Sequence, residues 1–264
     1  MKNKICSIVL IFSLFAACSS CSLSQYVMKK KSVAAVASNS KPVSHELWDG
    51  LLRQYVAANG KVDYKGFLRD SSRFRGYLDL LGSHHPNDAN WTEKEQLAYW
   101  INAYNAFTVK LICDHYPVAS IKDIKNGIPF VNTVWDIKFI KIEGATYDLN
   151  NIEHGIIRAK LFDPRIHCAV NCASISCPRL LAEAFTAEKL DAQLDFAARD
   201  FLKDRSKNVL SADAVQLSNI FNWYQPDFKK SGTLIDFLNQ YTVTKINPTA
   251  KISYLTYDWN LNGL

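Results

Sequence analysis

Thr92-Glu-Lys-Glu-Gln-Leu-Ala-Tyr-Trp-Ile-Asn-Ala-Tyr-Asn-Ala-Phe-Thr-Val-Lys-Leu-Ile-Cys-Asp-His115 is the segment on which the fold turns. Thr92 with Glu95 three residues on has the form of a capping box, in which each side chain takes a backbone N–H of the other. Apolar residues then occupy nearly every direction around a 3.6-residue repeat: Leu97, Ala98, Trp100, Ile101, Ala103, Tyr104, Ala106, Phe107, Leu111 and Ile112. A helix with so little polar face must be surrounded, so the spacing predicts a central buried helix from Thr92 to about His115. Asn102 and Asn105 lie three apart on one face of it. A buried amide left without a partner costs about 1–3 kcal/mol. The two asparagines therefore brace a neighbouring loop, or they orient a catalytic group or polarise a substrate carbonyl.

Outward from this helix, Leu47, Leu51 and Tyr55 recur at four-residue spacing and predict a helix over 44–57, ending before Asn59-Gly60. A second spans Ser71 to Leu81 and stops at Gly82. Ile137 to Ile142 and Ala145 to Leu149 alternate on either side of Glu143-Gly144 and read as a hairpin. Asn150 or Asn151 then caps a short helix to about Lys160, and Ile166 to Cys172 reads as a buried strand. Leu190, Leu194, Ala197 and Phe201 mark one side of a helix over 186–202, and another lies near 234–241. The class is α+β: a helix-dominated single domain, residues 45–264, around a central buried helix with a small, largely antiparallel sheet.

Before that domain the composition changes. Lys2 and Lys4 precede the apolar run Ile5 to Phe15, which is too short to span a membrane and is followed by small residues. Residues 1–17 read as an export signal, and Phe15-Ala-Ala-Cys18 resembles a bacterial lipoprotein box in which Cys18 takes lipid. Cleavage without lipid and an uncleaved anchor are the alternatives. Residues 18–44, rich in Ser, Ala, Val and Lys with no acidic residue, suit a flexible tether. The expected partners are a membrane, reached through Cys18, and a peptide or glycan of the bacterial cell envelope.

The net charge of +6 does not mark a nucleic-acid binder. Lys2, Lys4, Lys29, Lys30, Lys31 and Lys41 all precede the domain, and the 25 Lys and Arg that remain match 25 Asp and Glu. A nucleic-acid groove needs clustered positive charge, so that class is excluded.

The chemistry-bearing residues fall in two runs. In the first, His154 and Arg158 share a helix face beside Glu153, while Ile152 and Ile156 take the core side. This places a base or binder next to a guanidinium able to grip a carboxylate, or else an interlocking set of structural pairs. The second is Pro164-Arg-Ile-His-Cys-Ala-Val-Asn-Cys-Ala-Ser-Ile-Ser-Cys-Pro-Arg-Leu180. Along an extended strand His167 and Cys172 would lie on opposite faces about 16 Å apart, and Cys168 and Cys172 about 13 Å apart, too far for a disulfide. Cys168 and Cys113 read as small core residues. Cys172 and Cys177 flank a turn and can form a disulfide. Alternatively Cys172 is a nucleophile, with Ser174 or Ser176 and backbone N–H groups stabilising an oxyanion, His154 as base and Asp258 orienting it. Cys172, Cys177, His154 and His167 are permissible zinc ligands, but their spacing fits no zinc pattern, and neither a metal nor a cofactor is expected.

Val62-Asp-Tyr64, Ala98-Tyr-Trp-Ile-Asn-Ala-Tyr-Asn105, Ile152-Glu-His154 with Arg158, Asp163-Pro-Arg-Ile-His167, Cys172 with Ser176-Cys-Pro178, Trp223-Tyr224, Asp227-Phe228 and Tyr257-Asp-Trp-Asn260 together resemble the family called domain of unknown function 547, seen in bacteria and plants. The resemblance implies membership and a residue cluster of Asn102, Asn105, Glu153, His154, Arg158, His167, Cys172, Ser176 and Cys177, without a reaction. Kinship of that family to papain-like or transglutaminase-like thiol hydrolases would put a cysteine at the start of the central helix and the histidine later. Here the histidine comes first. The functional expectation is a thiol-hydrolase-like site acting on an amide or ester bond. Its alternative is a non-catalytic module that holds a peptide or glycan in an aromatic cleft of Trp100, Tyr104, Trp223, Tyr224 and Trp259.

Overall fold

The computed structural model describes residues 33, 36–125 and 133–264. The export signal expected at 1–17, Cys18 and Lys29 to Lys31 lie outside the described residues. From Ser38 the segment expected as tether is tied down: Ser38 and Ser40 donate to the His85 carbonyl at 2.9 and 2.6 Å, and Trp91 Nε1 donates to the Ser40 carbonyl at 3.0 Å.

The central helix runs Glu93–His115, and every residue from Gln96 to Val109 is buried. Thr92 Oγ1 accepts the Glu95 N–H (3.3 Å) while Glu95 Oε2 accepts the Thr92 N–H (2.7 Å), closing the capping box; an N-cap of this kind contributes about 1 kcal/mol. Helices Tyr64–Arg69 and Ser71–Gly82 and the turn Asn151–Ile157 pack on it, with Glu46–Tyr55 against the first two. Trp48 lies parallel to Tyr77 at 5.5 Å between centroids and joins these outer helices into the same core.

The hairpin forms from β1 (Ile140–Ile142) and β2 (Ala145–Tyr147) in antiparallel register, Ile142 opposite Ala145. Glu143 (φ 45°) and Gly144 (φ 79°) both take the left-handed conformation that a tight two-residue hairpin turn requires. Asn151–Ile157 is wound as a π-helix and continues as Arg158–Lys160. This wider winding is a local departure often found at functional positions.

A second apolar cluster gathers on Leu190–Lys203. Leu190 and Leu194 belong to the main core, whereas Ala197, Ala198, Phe201 and Leu202 pack with Phe221, Phe228, Phe237 and Leu238. Beside it lies a three-stranded sheet: β3 (Val209–Leu210) antiparallel to β4 (Ala214–Leu217), which runs parallel to β5 (Lys251–Tyr254). Helix dominates, and two of the three strand pairings are antiparallel.

One expectation fails. Residues 166–172 are not a strand: Pro164–Cys168 is a 3-10 turn, capped by Asp163 Oδ1 accepting the Arg165 N–H at 2.8 Å. Asp followed by Pro is a helix-start signal, and a short apolar run after it does not distinguish strand from buried turn. The strand-based separations of His167 and Cys168 from Cys172 lapse with it.

Candidate functional site

Two polar clusters lie beside the central helix. The first is a thiol turn. Ala173, at φ 61° and wholly buried, holds the left-handed conformation and folds Cys172 back over Cys177. Such backbone strain in a non-glycine residue persists only where the surroundings fix it. The Cys172 N–H donates to Cys177 Sγ at 3.0 Å. Ser174 Oγ donates to the Tyr257 hydroxyl (3.0 Å), which donates to Cys177 Sγ (3.1 Å) and lies 3.3 Å from Cys172 Sγ. Both cysteines are free thiols, Cys172 half-buried and Cys177 only 2% exposed.

This arrangement divides the acidity of the pair. Burial alone would push the Cys177 thiol up, but hydrogen bonds from Cys172, Ser174 and Tyr257 outweigh it and bring Cys177 down to about 6. Cys172 is held well above the ordinary thiol range, chiefly by its hydrogen bond to Cys177 and then by burial. The hydrogen bonds thus favour the charged form of the enclosed sulfur and disfavour that of its neighbour. The Tyr257 phenol, pushed up by burial and by both sulfurs, stays protonated as a donor.

The turn is held from both sides by amides. Asn105 on the central helix accepts the Asn171 N–H (2.8 Å) and donates to the Ala169 carbonyl (3.0 Å). Asn171 Oδ1 accepts the Ala173 N–H (2.9 Å) and the Asn262 side-chain amide (3.2 Å), and Tyr64 donates to Asn262 (2.7 Å). From the far side Ile175 and Ser176 donate backbone N–H groups to the Asn260 and Asp258 carbonyls. Residues 258–262 therefore lie along the thiol turn like an added strand. Half-buried rings stand over it: Trp259 packs on Tyr257 (4.6 Å), Trp223 (5.8 Å) and Trp135 (5.5 Å), with Lys122 Nζ 4.9 Å above Trp259.

The second cluster collects Glu153, His154, Arg158, His167, Tyr224 and Asp227. Arg158 Nε pairs with Asp227 Oδ2 at 2.5 Å, and the same oxygen accepts His167 Nε2–H at 2.9 Å. Arg158 Nη1 donates to His154 Nδ1 at 3.1 Å, which leaves the ring proton of a neutral His154 on Nε2. His167 stacks on Tyr224 at 3.9 Å, and the Tyr224 hydroxyl donates to Glu153. Burial would raise both carboxyls. For Asp227 the bonds from His167 and Arg158 prevail and hold it well below the usual range. The Glu153 carboxyl is lowered by its neighbours His154 and His167, by the hydrogen bond from Tyr224 and by Arg158. Burial pushes His167 down against its bond to Asp227. Tyr104 on the central helix lies within the electrostatic reach of Glu153 on one side and of Cys172 and Cys177 on the other.

The expected site residues are thus divided. Glu153, His154, Arg158 and His167 come together, and so do Cys172 and Cys177, whereas Ser176 bonds Asp258 and it is Ser174 that reaches Cys172. The hydrogen-bond partners of Cys172 are Tyr257, Ser174 and Cys177, and His154 is not one of them. Asp258 does not orient His154: its Oδ1 accepts the Asn260 N–H at 2.9 Å, and its own N–H goes to Ser176 Oγ. Asn102 clamps Phe185 through both its N–H and carbonyl (3.0 and 2.8 Å), so both central asparagines hold backbone. Trp100 and Tyr104 are core residues. The carboxylate that binds an imidazole, Asp227, and the hydroxyl that binds the sulfurs, Tyr257, were not singled out from the sequence as site residues. Both lie in aromatic segments whose only cue was their place in the family resemblance. No group of three or more metal-binding side chains occurs among the described residues.

The central helix, the π-helical turn and the thiol turn form one continuous stretch of chain, and a family match falls on that stretch. Residues 89–202 match the family described as Protein of unknown function, DUF547. No curated protein and no solved structure matches the chain. The DUF547 segment contains Asn105, Glu153, His154, Arg158, His167, Cys172 and Cys177. Tyr224, Asp227 and Tyr257, which complete the two clusters, lie beyond it.

Proposed function

We propose that this is an exported envelope protein, held at a membrane by lipid on Cys18, whose folded region uses thiol chemistry on an amide or ester bond. The reading rests on one observation: the half-buried Cys172 donates its backbone N–H to the enclosed Cys177 Sγ and shares the Tyr257 hydroxyl with it, under a wall of aromatic rings. In the reaction Cys172 Sγ attacks the carbonyl carbon as its proton passes to Cys177. The carbonyl electron pair moves to oxygen within reach of the Ser174 and Tyr257 hydroxyls. Collapse returns the proton to the departing amine or alcohol, and water then releases the acid from Cys172. The His154 cluster acts from behind, through Tyr224 and Tyr104, by fixing the floor of the site.

The test is incubation of the fully reduced protein with activated acyl esters and mass-spectrometric mapping of the adduct. Acyl transfer to Cys172, lost in Cys172→Ser, supports the reading. An unmodified Cys172 that iodoacetamide labels no faster than Cys113 overturns it. A second reading, a module that holds a peptide or glycan, is favoured by the half-buried Trp135, Trp223 and Trp259. It predicts ligand binding that Cys172→Ala preserves and Trp223→Ala weakens.

A further inference from the structure

The geometry points to a second activity for the same turn: we propose that Cys172 and Cys177 are a redox-active dithiol that closes to a reversible disulfide by exchange with a small-molecule or protein disulfide. This goes beyond bond hydrolysis and does not depend on it. Thiol–disulfide exchange needs an accessible sulfur to attack, a second sulfur in contact to resolve the mixed disulfide, and a stabilised thiolate. Cys172 is the partly exposed residue of the two, whereas Cys177 is enclosed and accepts the Cys172 N–H. The Tyr257 hydroxyl reaches both sulfurs, at 3.3 and 3.1 Å, so one donor can follow the charge from one to the other. The other described cysteines lack such a neighbour. Burial drives the Cys113 thiol up to about 12 and that of Cys168 higher still, and neither has a second cysteine among its recorded contacts.

The exchange balances as follows. Cys172 yields its proton and attacks one sulfur of the external disulfide, forming a mixed disulfide and expelling one thiol. Cys177 then attacks Cys172 Sγ, forms the Cys172–Cys177 bond and expels the second thiol. Counted from the form with both thiols protonated, the protein loses two electrons and two protons, and the external disulfide takes up both to become two thiols. Left-handed Ala173 brings the Cys172 N–H to 3.0 Å from Cys177 Sγ, so the turn already holds the two residues against each other.

The experiment equilibrates the full chain in mixtures of reduced and oxidised glutathione, quenches with acid and maps the cysteines by mass spectrometry. A Cys172–Cys177 bond should appear as the oxidised fraction rises and disappear when it falls. Cys177→Ser should stop at glutathione on Cys172, and Cys172→Ser should take up about tenfold less glutathione at Cys177. Two thiols that stay alkylatable at every ratio, or a bond that reduced glutathione cannot reopen in the folded chain, overturn the proposal. Acyl-ester turnover measured in parallel on fully reduced protein separates the two readings: either activity can be absent while the other remains.

Discussion

The imidazole–carboxylate cluster and the dithiol turn are both buried polar groups beside the same helix, yet they are built in opposite ways. In the first, Glu153, His154, His167 and Asp227 are between 2% and 6% exposed, and each charge faces another within the cluster. In the second, the acidic sulfur is enclosed but its partner Cys172 is half-buried beneath half-buried rings. A closed network of charges holds segments in register, because removing any member strands the others in a medium of low dielectric. A network with one open member can exchange its proton or bond with something from outside. The function proposed above accordingly gives scaffolding to the first cluster and chemistry to the second.

The largest effect should come from opening the closed cluster. Asp227→Ala leaves Arg158 and His167 facing each other without their carboxylate, and urea unfolding should report a loss of about 3–5 kcal/mol. Iodoacetamide labelling of Cys172 should change little in whatever fraction stays folded. Cys172→Ser reverses the pattern: thiol reactivity with a small disulfide should vanish while stability moves by about 1 kcal/mol or less. Tyr257→Phe tests the link between the two sulfurs. It removes a hydroxyl that hydrogen-bonds Cys177, so the thiolate absorbance of Cys177 should titrate at higher pH than in the parent, and stability should fall by about 1 kcal/mol.

Acid should act mainly on the closed side. His167 is depressed by burial, so as pH falls below the ordinary histidine value the unfolded chain takes up a proton that the folded chain refuses, and stability declines. His45, lowered by burial to about 4 beside Tyr77, adds a loss of the same sign between 6.5 and about 4. Asp227, with a folded value below 3.8, adds a further loss as pH falls below 3.8. Denaturant titrations across this range should show a monotonic fall, and stability that rose on acidification would contradict the cluster's charge assignment. The smallest effect belongs to the rim of the open side. Lys122→Ala removes a cation over Trp259 and should cost about 0.5 kcal/mol, visible as a small change in indole fluorescence.

Much of this fold was legible in the residues because its strongest element carries redundant signals. The Thr92–Glu95 box fixes where the central helix starts, and apolar residues on every side fix its burial; a one-sided apolar stripe placed a helix over 186–202, which in the structure begins only at Leu190, and the helix near 234–241 is Leu234–Tyr241. The sheet of β3, β4 and β5 was not legible. β3 has two residues, and β5 is Lys-Ile-Ser-Tyr with Ile252 exposed, so neither shows alternation. The turn at 164–168 was misread because Ile166, Cys168 and Val170 are apolar in either conformation. Within the candidate site, Cys172 with Ser174 and the grouping of Glu153, His154 and Arg158 could be seen locally. The choice of partners could not: Asp227 lies 60 residues from His167 and Tyr257 lies 85 from Cys172, separations over which spacing carries no information.

The strap formed by residues 258–262 has a consequence for the order in which the molecule comes into being. Both sulfurs leave the ribosome well before Tyr257, and the strap over them comes from chain made some 85 residues later. During that interval the pair lacks the phenol that tempers it and the backbone that shields it, so a nascent chain meets any oxidant with its thiols bare. Docking of residues 257–262 must therefore follow synthesis of the turn, and it brings a phenol and a backbone strap onto two cysteines already made.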